Sequence, residues 1–328
     1  LQASILVPHY RSADQSARGL PVRFTEVPAV KKPGKRATDE DRETYRQAIK
    51  EHNLSTAFLK DLKELREAFD KAGAQNKVII AALDGSFCTR TCLSNNTDRT
   101  ILVARVRKDA KFCFPAPKGS RSVYDPHKFT PQQLRHDQGA PWCSARIFHG
   151  GAWREVRYKE VNNVLWQGGT QRKSLRLFVI AATPYRVRPN GPLYYREPGY
   201  VVSTDCQAPA VILLQTYFDR WQIEVNHRDE KDTLGIGQAQ VWSKKSVPRQ
   251  PAFMAAAYSA LLLASIETFG ASRTNDYMPL PKWRRGATRP SILDLVTVLR
   301  KELATDPACA KRFNLHTTLA GLVMKAAA

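Results

Sequence analysis

The sequence predicts an α/β protein with a mixed sheet, helices on both faces of that sheet, and an antiparallel β-rich segment that interrupts it. Three observations support this fold class. The stretch KVIIAALDGSF at 77–87 is an unbroken apolar run, typical of a strand buried on both faces. Apolar residues recur at helical spacing before it, and short β-type runs separated by Pro and Gly fill 111–203 after it.

Composition bounds the size and the partners of the protein. With 328 residues, of which 43% are hydrophobic, the chain can bury a sizeable core as two domains or as one domain with a large insertion. Lys and Arg number 51 against 30 Asp and Glu, a net charge of +21, which points to a polyanion and above all to nucleic acid. These basic residues are spread along the chain, which favours DNA or RNA over a membrane surface.

Cysteine usage points to a reducing compartment. The six cysteines form no CxxC pair and no Cys/His zinc spacing, so we expect reduced thiols and a cytoplasmic protein. The apolar run at 251–270 approaches the length of a membrane span. It is rich in Ala and includes Ser259, Ser265 and Glu267, so we predict a core helix there and no membrane partner.

The N-terminal part contains a strand-like alternation at 21–27 and a basic loop, VKKPGKR. Thr38, followed by three acidic residues, then begins a helical region at 39–72 with a predicted break near Asn53. Its apolar stripe is expected to pack a core, and it consists of Leu59, Leu62, Leu65 and Phe69.

The apolar run at 78–84 ends in Asp84, and a second apolar strand follows at 100–107. Side chains at the carboxyl ends of such strands point into the crevice where α/β sheets place their chemistry. Asp84 is therefore a candidate functional residue. The alternative is that Asp84 caps a turn or a short helix around 88–95.

Within 111–203, the runs SARIFHG, AWREVRY, LRLFVIAAT and GYVVST are predicted strands. The sequence CQAPAVILLQTYFDRWQIEVNHRDEK that follows predicts one long, largely buried helix with Asp205 as its N-cap. Trp221 and Ile223 are expected in the core. The side chains expected to be solvated or close to DNA are His227, Asp229 and Glu230.

One stripe of this helix combines four chemically active side chains. At about 100° per residue, Tyr217, Arg220, Glu224 and Lys231 fall within about 60° of one another. Carboxylates on different elements suit phosphodiester chemistry with two Mg²⁺ ions, because hard oxygen ligands hold such ions in place. The two basic side chains would bind phosphates, and Tyr217 would stack on or hydrogen-bond to the end of the DNA.

The pattern Y-x2-R-x3-E-x6-K in an RW-x-IE context resembles the signature helix of DDE transposases from bacterial insertion sequences. The resemblance implies an RNase H-like core, in which Asp84 is the second aspartate and Glu224 the third acidic residue. It implies Mg²⁺ (or Mn²⁺) at these two carboxylates, and DNA contacts from Tyr217, Arg220 and Lys231. The implied partners are transposon ends and target DNA, bound by a homodimer in the bacterial cytoplasm at the nucleoid.

The resemblance also divides the chain into three parts. Residues 1–110 would form the first part of the core, 111–203 the β-rich insertion, and 204–328 the completion of the core with the signature helix and C-terminal helices. The family's first aspartate, on the first core strand, finds no equivalent at a predicted strand end. The upstream candidates are Asp14, Asp39, Asp41, Asp61 and Asp70.

We therefore expect the first strand and its aspartate to be missing from this chain. Two functions follow: a transposase that cleaves DNA and joins the freed 3′-hydroxyl to a target, or a non-catalytic DNA-binding remnant of one. A structural RNA-associated protein is a third class, for which the sequence offers no aromatic RNP motif.

The transposase hypothesis makes geometric demands. Strand 78–84 should lie beside strand 100–107, with a space next to Asp84 where the first core strand would stand. The carboxylates of Asp84 and Glu224 should come within about 4 to 8 Å, so that Mg²⁺ can bridge them. Arg220 and Lys231 should open onto the same concave face.

Overall fold

The computed structural model describes residues 1–7, 17–94, 97–188, 190–281 and 286–312. The chain forms two compact units. The first comprises Glu26–Trp221 with Leu1, and the second comprises Gln2–Thr25 with Gln222–Ala328. The predicted division at 110 and 203 into core and insertion stays a prediction.

The first unit is a mixed α/β structure. Its helices are α1 (Asp39–Glu51), α2 (Leu54–Lys71), α3 (Arg90–Leu93), α4 (Pro131–His136) and α5 (Ala210–Asp219). Its strands are β3 (Ile79–Leu83), β4 (Thr100–Arg105), β5 (Phe112–Pro115), β6 (Tyr124–Phe129), β7 (Cys143–His149), β8 (Ala152–Val164), β9 (Leu175–Ile180), β10 (Pro184–Arg186), β11 (Leu193–Tyr195) and β12 (Gly199–Ser203).

Six of these strands form one sheet in the order β3-β4-β12-β9-β8-β7. The pair β3–β4 is parallel, and every other neighbouring pair is antiparallel. This confirms the predicted mixed sheet. The four strands predicted in the β-rich segment, β7, β8, β9 and β12, extend the sheet that β3 and β4 begin.

Strand β3 lies beside β4, as predicted, in a register that runs from Ile79 opposite Thr100 to Leu83 opposite Ala104. β3 is also the edge strand of the six-stranded sheet. Its partner β4 pairs on the other side with β12, where Arg105 lies opposite Val201.

Each face of the sheet packs against helices, because successive strand residues point to opposite sides. Along β4, Leu102 and Ala104 enter one core layer and Val103 enters the other. The first layer receives Leu62 from α2 together with side chains of α3 and α4. The second receives Leu213 and neighbouring residues of α5. The predicted helices on both faces are confirmed.

The predicted helical region 39–72 and its break are confirmed by α1 and α2. Thr38 and Asp41 form a capping box at the start of α1. Asn53 caps α2, since its side-chain oxygen accepts hydrogen bonds from the backbone of Ser55 and Thr56. The break between α1 and α2 is therefore determined by the local sequence.

The single long helix predicted around the signature motif is wrong. The chain forms α5 and then α6 (Gln222–Asp232), and the backbone N–H of Trp221 bonds to the carbonyl of Phe218, three residues back. Asp205 is not the helix N-cap either. It caps a turn by accepting hydrogen bonds from Gln207 and Ala208, and the helix starts only after Pro209, because the residue before a proline is disfavoured in helical geometry.

The second unit combines a β-hairpin with helices. Its elements are β1 (Gln2–Val7), β2 (Arg18–Phe24), α6, α7 (Ser246–Phe269), α8 (Ile292–Thr305) and α9 (Pro307–Arg312). The antiparallel hairpin β1–β2 packs with α6, α7 and α8 around an apolar cluster that includes Leu20, Tyr258, Leu262 and Ile292.

The predicted core helix at 251–270 corresponds to α7, and the prediction holds for one face only. Tyr258 and Leu262 are buried, whereas Phe253 is 71% exposed and Leu263 is 41% exposed. Within the described residues, α7 is the helix long and apolar enough to cross a membrane by length and composition. Its packing on β2 and α8 is compatible with a soluble protein.

A polar network runs through the core of the second unit. The buried Asn226 donates to the Ser4 hydroxyl (3.0 Å) and accepts from the Tyr258 hydroxyl (3.3 Å). Glu230, predicted to be solvated, is 2% exposed and accepts a hydrogen bond of 2.8 Å from Gln2. Burial raises the pKa of Glu230, and the hydrogen bond from Gln2 opposes that rise. The exposure predicted for Glu230 is wrong because α6 turns this side chain toward β1.

Gly19 on β2 gives a test of this packing. A Cβ at Gly19 would lie 2.7 Å from the side-chain nitrogen of Asn226 and 3.2 Å from Cβ of Gln222. We expect Gly19→Ala to lower the free energy of unfolding by about 1–3 kcal/mol, because the buried amide cannot move without losing its partners. Urea denaturation followed by circular dichroism measures the change.

Gly34→Ala is the matched control, since a Cβ there meets nothing within 4 Å. We expect it to change stability by no more than about 0.5 kcal/mol. Equal stability of the two variants would contradict the packing of β2 on α6.

Candidate functional site

Asp84 follows directly after β3, at the carboxyl end of the strand. Strands β3 and β4 are parallel, and Leu83 lies opposite Ala104. The next residues, Asp84 and Arg105, therefore lie side by side at the carboxyl ends of the two strands. The Asp84 side chain is 57% exposed. A carboxylate is therefore presented to solvent at the end of a packed strand.

The capping interpretation of Asp84 is wrong. A short 3₁₀ helix, Gly85–Phe87, does begin after it, but the Asp84 side chain makes no capping hydrogen bond to that helix. The following helix α3 is capped by Thr89, whose hydroxyl accepts from the backbone of Cys92. Local structure thus does not account for a carboxylate at this position.

Helix α5 brings Arg220, which directly follows its last residue, close to Asp84. The guanidinium Nη1 of Arg220 lies 3.9 Å from Oδ1 of Asp84, beyond hydrogen-bonding distance. The Arg220 side chain is 20% exposed. An ion pair of this length with one solvated partner contributes at most about 1 kcal/mol, so it leaves the carboxylate open to another ligand.

Tyr217 lies on the same helix and packs partly against the second core layer. Burial raises the pKa of its phenol, the positive charges of Arg105 and Arg220 oppose that rise, and Asp84 adds to it. The phenol is therefore protonated at neutral pH and can donate a hydrogen bond. The charges of Asp84, Arg105 and Arg220 all act on the Tyr217 phenol, so these four residues form one site.

Arg105 was missed in the sequence analysis, although a signal for it exists. It ends the apolar run of β4 in the same way that Asp84 ends β3. Two consecutive parallel strands place their terminal residues side by side, so the register of the pair would have identified Arg105.

A second cluster fixes α5 against β7. Gln215 accepts from the backbone N–H of Phe148 (2.8 Å), and its amide nitrogen donates to the carbonyl of Phe148 (3.0 Å) and to Oδ1 of Asp219 (3.1 Å). Burial raises the pKa of Asp219 to about 7, and the hydrogen bond from Gln215 opposes that rise. These contacts hold the helix that presents Tyr217 and Arg220.

The remaining motif residues, Glu224 and Lys231, lie on α6 in the second unit, where Lys231 is exposed and Glu224 is partly buried. Asp84 belongs to the first unit. The predicted approach of the Asp84 and Glu224 carboxylates, and the common concave face of Arg220 and Lys231, stay predictions.

The burial predicted along the motif is wrong in part. Trp221 is 56% exposed rather than in the core, because it sits at the break between α5 and α6. Ile223 is partly buried and His227 is exposed. Only Asn226 and Glu230 are buried on α6, so this helix is less enclosed than its aromatic and aliphatic residues indicated.

Within the described ranges, no three His, Cys, Asp or Glu residues form a group that could hold a metal ion. Four of the five upstream aspartates lie on helices: Asp39 and Asp41 on α1, Asp61 and Asp70 on α2. Asp14 lies outside the described residues. Five cysteines are free thiols, as predicted, and the side chain of Cys309 is outside the description.

Comparison with known proteins gives no match, either to a family model or to a curated protein.

The raised pKa of Asp219 makes stability depend on pH. The unfolded chain loses this proton near about pH 4, whereas the folded protein holds it until about pH 7. The contribution of the protonated group is therefore complete below about pH 4 and is lost as pH rises to about 7. We expect Asp219→Asn, which keeps an acceptor for Gln215, to raise the urea midpoint more at pH 8 than at pH 4.

Asp109→Asn is the control, because Asp109 is exposed and its pKa is lowered by the Arg107 hydrogen bond. Its stability difference from the wild type should not grow between pH 4 and pH 8. A constant difference for Asp219→Asn across this range would show that the carboxyl is not held protonated.

Proposed function

We propose that this chain is a DNA transposase of the DDE type, acting by phosphodiester hydrolysis and strand transfer at transposon ends. The observation that carries the proposal is the pairing of Asp84 with Arg220 at 3.9 Å. It joins the exposed carboxylate at a strand end to a residue of the Y-x2-R-x3-E-x6-K motif, which was recognised independently of Asp84. Tyr217 of the same motif faces the same charges.

An RNase H-like core is part of the proposal. The order of helix α2, strand β3 ending in the carboxylate, and the parallel strand β4 supports it. So do the helices on both faces of the mixed sheet. β3 is an edge strand, which agrees with the expected space beside Asp84.

Asp84 and Glu224 are the residues proposed to hold Mg²⁺ or Mn²⁺. Both offer hard carboxylate oxygens, the donors that these ions prefer, and Asp84 is open to solvent. When bound, such ions stabilise charge on the attacking and leaving oxygens of the phosphodiester.

The basic side chains have a separate task. Arg220, Arg105 and Lys231 would bind phosphates on either side of the scissile bond and so fix the register of the DNA. The protonated Tyr217 would donate a hydrogen bond to a phosphate or to the end of the strand. The net charge of +21 supports DNA as the partner. A homodimer assembled on transposon ends, in the bacterial cytoplasm at the nucleoid, completes the proposal.

A non-catalytic DNA-binding protein is the second candidate. It is favoured by the helical placement of Asp39, Asp41, Asp61 and Asp70, which leaves Asp84 and Glu224 as the acidic residues assigned to the site. Both candidates bind DNA, and only the first cleaves it with Mg²⁺.

Cleavage separates the two candidates. If the first candidate is right, the wild-type chain nicks DNA carrying its transposon end in the presence of Mg²⁺ although no first aspartate is assigned to the site. Asp84→Asn should abolish nicking and leave metal-free DNA binding equal or tighter, because a negative charge near the phosphates is removed. Asp232→Asn, at an exposed position on α6, is the control and should nick like the wild type. DNA binding without nicking by the wild type would favour the second candidate.

Salt dependence tests the phosphate contacts. We expect Lys231→Ala and Arg220→Ala each to reduce the slope of log K against log salt concentration by about one unit, the value of one lost phosphate contact. Lys50→Ala, at an exposed site in the last turn of α1, should leave the slope unchanged. Fluorescence anisotropy with labelled duplex measures the slopes. Unchanged slopes for both motif variants would mean that the motif does not touch phosphate.

A further inference from the structure

The two-stranded ribbon β10–β11 is an exposed aromatic and basic surface in the first unit. β10 pairs antiparallel with β11, so that Tyr185 lies opposite Tyr194 and Arg186 opposite Leu193. The ribbon continues the chain between β9 and β12, which are neighbours in the main sheet. Its base is therefore anchored in the packed sheet while its strands form a separate two-stranded sheet.

Three tyrosines of this ribbon are open to solvent. Tyr185 is 39% exposed, Tyr194 is 46% exposed and Tyr195 is 64% exposed. Because neighbouring residues of a strand point to opposite faces, Tyr194 and Tyr195 place aromatic rings on both faces of the ribbon. Large aromatic side chains are usually buried, so this exposure calls for an explanation other than core packing.

Arginines lie among these rings. The Arg196 guanidinium stacks over the Tyr185 ring at 5.4 Å, and the ring of Tyr194 is 5.6 Å from that of Tyr185. Arg186 on β10 and Arg188 in the connection between β10 and β11 are exposed, and the Arg186 guanidinium also donates a hydrogen bond to the carbonyl of Gly191. The Tyr185 and Tyr194 rings are tilted by 33° to each other, so the ribbon presents exposed π-faces beside positive charge.

Cross-strand stabilisation explains only part of this composition. The Tyr185–Tyr194 pair contributes about 0.2–1 kcal/mol to the ribbon as a cross-strand aromatic contact. That accounts for two rings, and the contacts of Arg196 with Tyr185 and of Arg186 with Gly191 account for two arginines. None of these contacts requires the more exposed Tyr195 or Arg188.

We propose that the ribbon β10–β11 binds unpaired DNA bases, with Tyr194 and Tyr195 as stacking platforms and Arg186 and Arg188 on the adjoining phosphates. This inference rests on the proposed DNA-binding function and assigns a surface and a DNA form to it. Base stacking suits the site because every base has a flat π-face, whereas paired bases within a duplex expose only their edges. Tyr and Arg also occur at protein interfaces, so an acidic protein segment is the alternative ligand that competition by poly-glutamate tests.

Binding to two probes tests the proposal. The probes are fluorescent oligo(dT), which cannot pair with itself, and a duplex of the same length in the same buffer. We expect Tyr195→Leu and Tyr194→Leu to weaken oligo(dT) binding about 5- to 100-fold each, as the loss of one stacking platform does, and to leave duplex binding nearly unchanged. Tyr195→Phe should bind oligo(dT) like the wild type, because it keeps the ring.

Val187→Ala is the matched control on the same ribbon, since Val187 is 75% exposed and carries no ring. It should bind both probes like the wild type. Urea midpoints of the Tyr195 and Val187 variants should agree with the wild type, because these side chains are exposed, and Tyr194→Leu should lose no more than about 0.2–1 kcal/mol, the contribution of its contact with Tyr185. If a Leu variant has a lowered urea midpoint, its own duplex binding shows whether it is still folded. Tyr195→Phe then shows whether the ring is what oligo(dT) binding requires.

The outcomes separate this inference from the proposed function. A wild-type chain that binds neither probe overturns both. Duplex and oligo(dT) binding by the wild type, with neither affected in the Leu variants, overturns the ribbon assignment alone. If the Leu variants bind both probes equally more weakly, the ribbon is a general polyanion surface. If poly-glutamate competes as strongly as oligo(dT), the ribbon is a surface for acidic protein segments. Either result also overturns the ribbon assignment.

Discussion

The parallel pairing of β3 with β4 is the constraint on which the candidate site depends. It places the carboxyl ends of both strands side by side and so brings Asp84 beside Arg105. The apolar side chains of the two strands enter core layers on both faces, which fixes the pair between α2 on one side and α5 on the other. Since α5 leads directly into Arg220, the same packing delivers Arg220 to Asp84.

Much of this arrangement could be predicted from local sequence. The apolar runs of β3 and β4, the Thr38 and Asn53 caps and the alternation in β7, β8, β9 and β12 each carry their own signal. Asp84 was also identifiable, because side chains at the carboxyl end of an apolar strand point into the crevice where α/β sheets place their chemistry.

Other features depend on tertiary contacts that the spacing of apolar residues in the sequence does not reveal. The apolar and charged pattern of 206–231 fits one helix, yet the helix starts only after Pro209 and a two-residue break at Arg220 and Trp221 divides it. Glu230 was expected to be solvated because it faces another side of the helix than the motif residues, and its hydrogen bond with Gln2, far away in sequence, accompanies its burial. Arg105 and Asp219 owe their roles to strand register and to Gln215, which are tertiary properties.

The position of β4 in the sheet also bears on how the protein folds. Arg105 pairs with Val201 across the entire β-rich segment, so the pair β3–β4 can join the sheet only after that long loop has closed. The meander β7–β8–β9, by contrast, is built from near neighbours in sequence. Long-range pairing is slow, because the chain loses loop-closure entropy before the stabilising contacts form. We therefore expect the meander to form early, and the pairing of β4 with β12 beside Asp84 to form late. A nascent chain would thus form most of the sheet before Asp84, Arg105 and Arg220 come together.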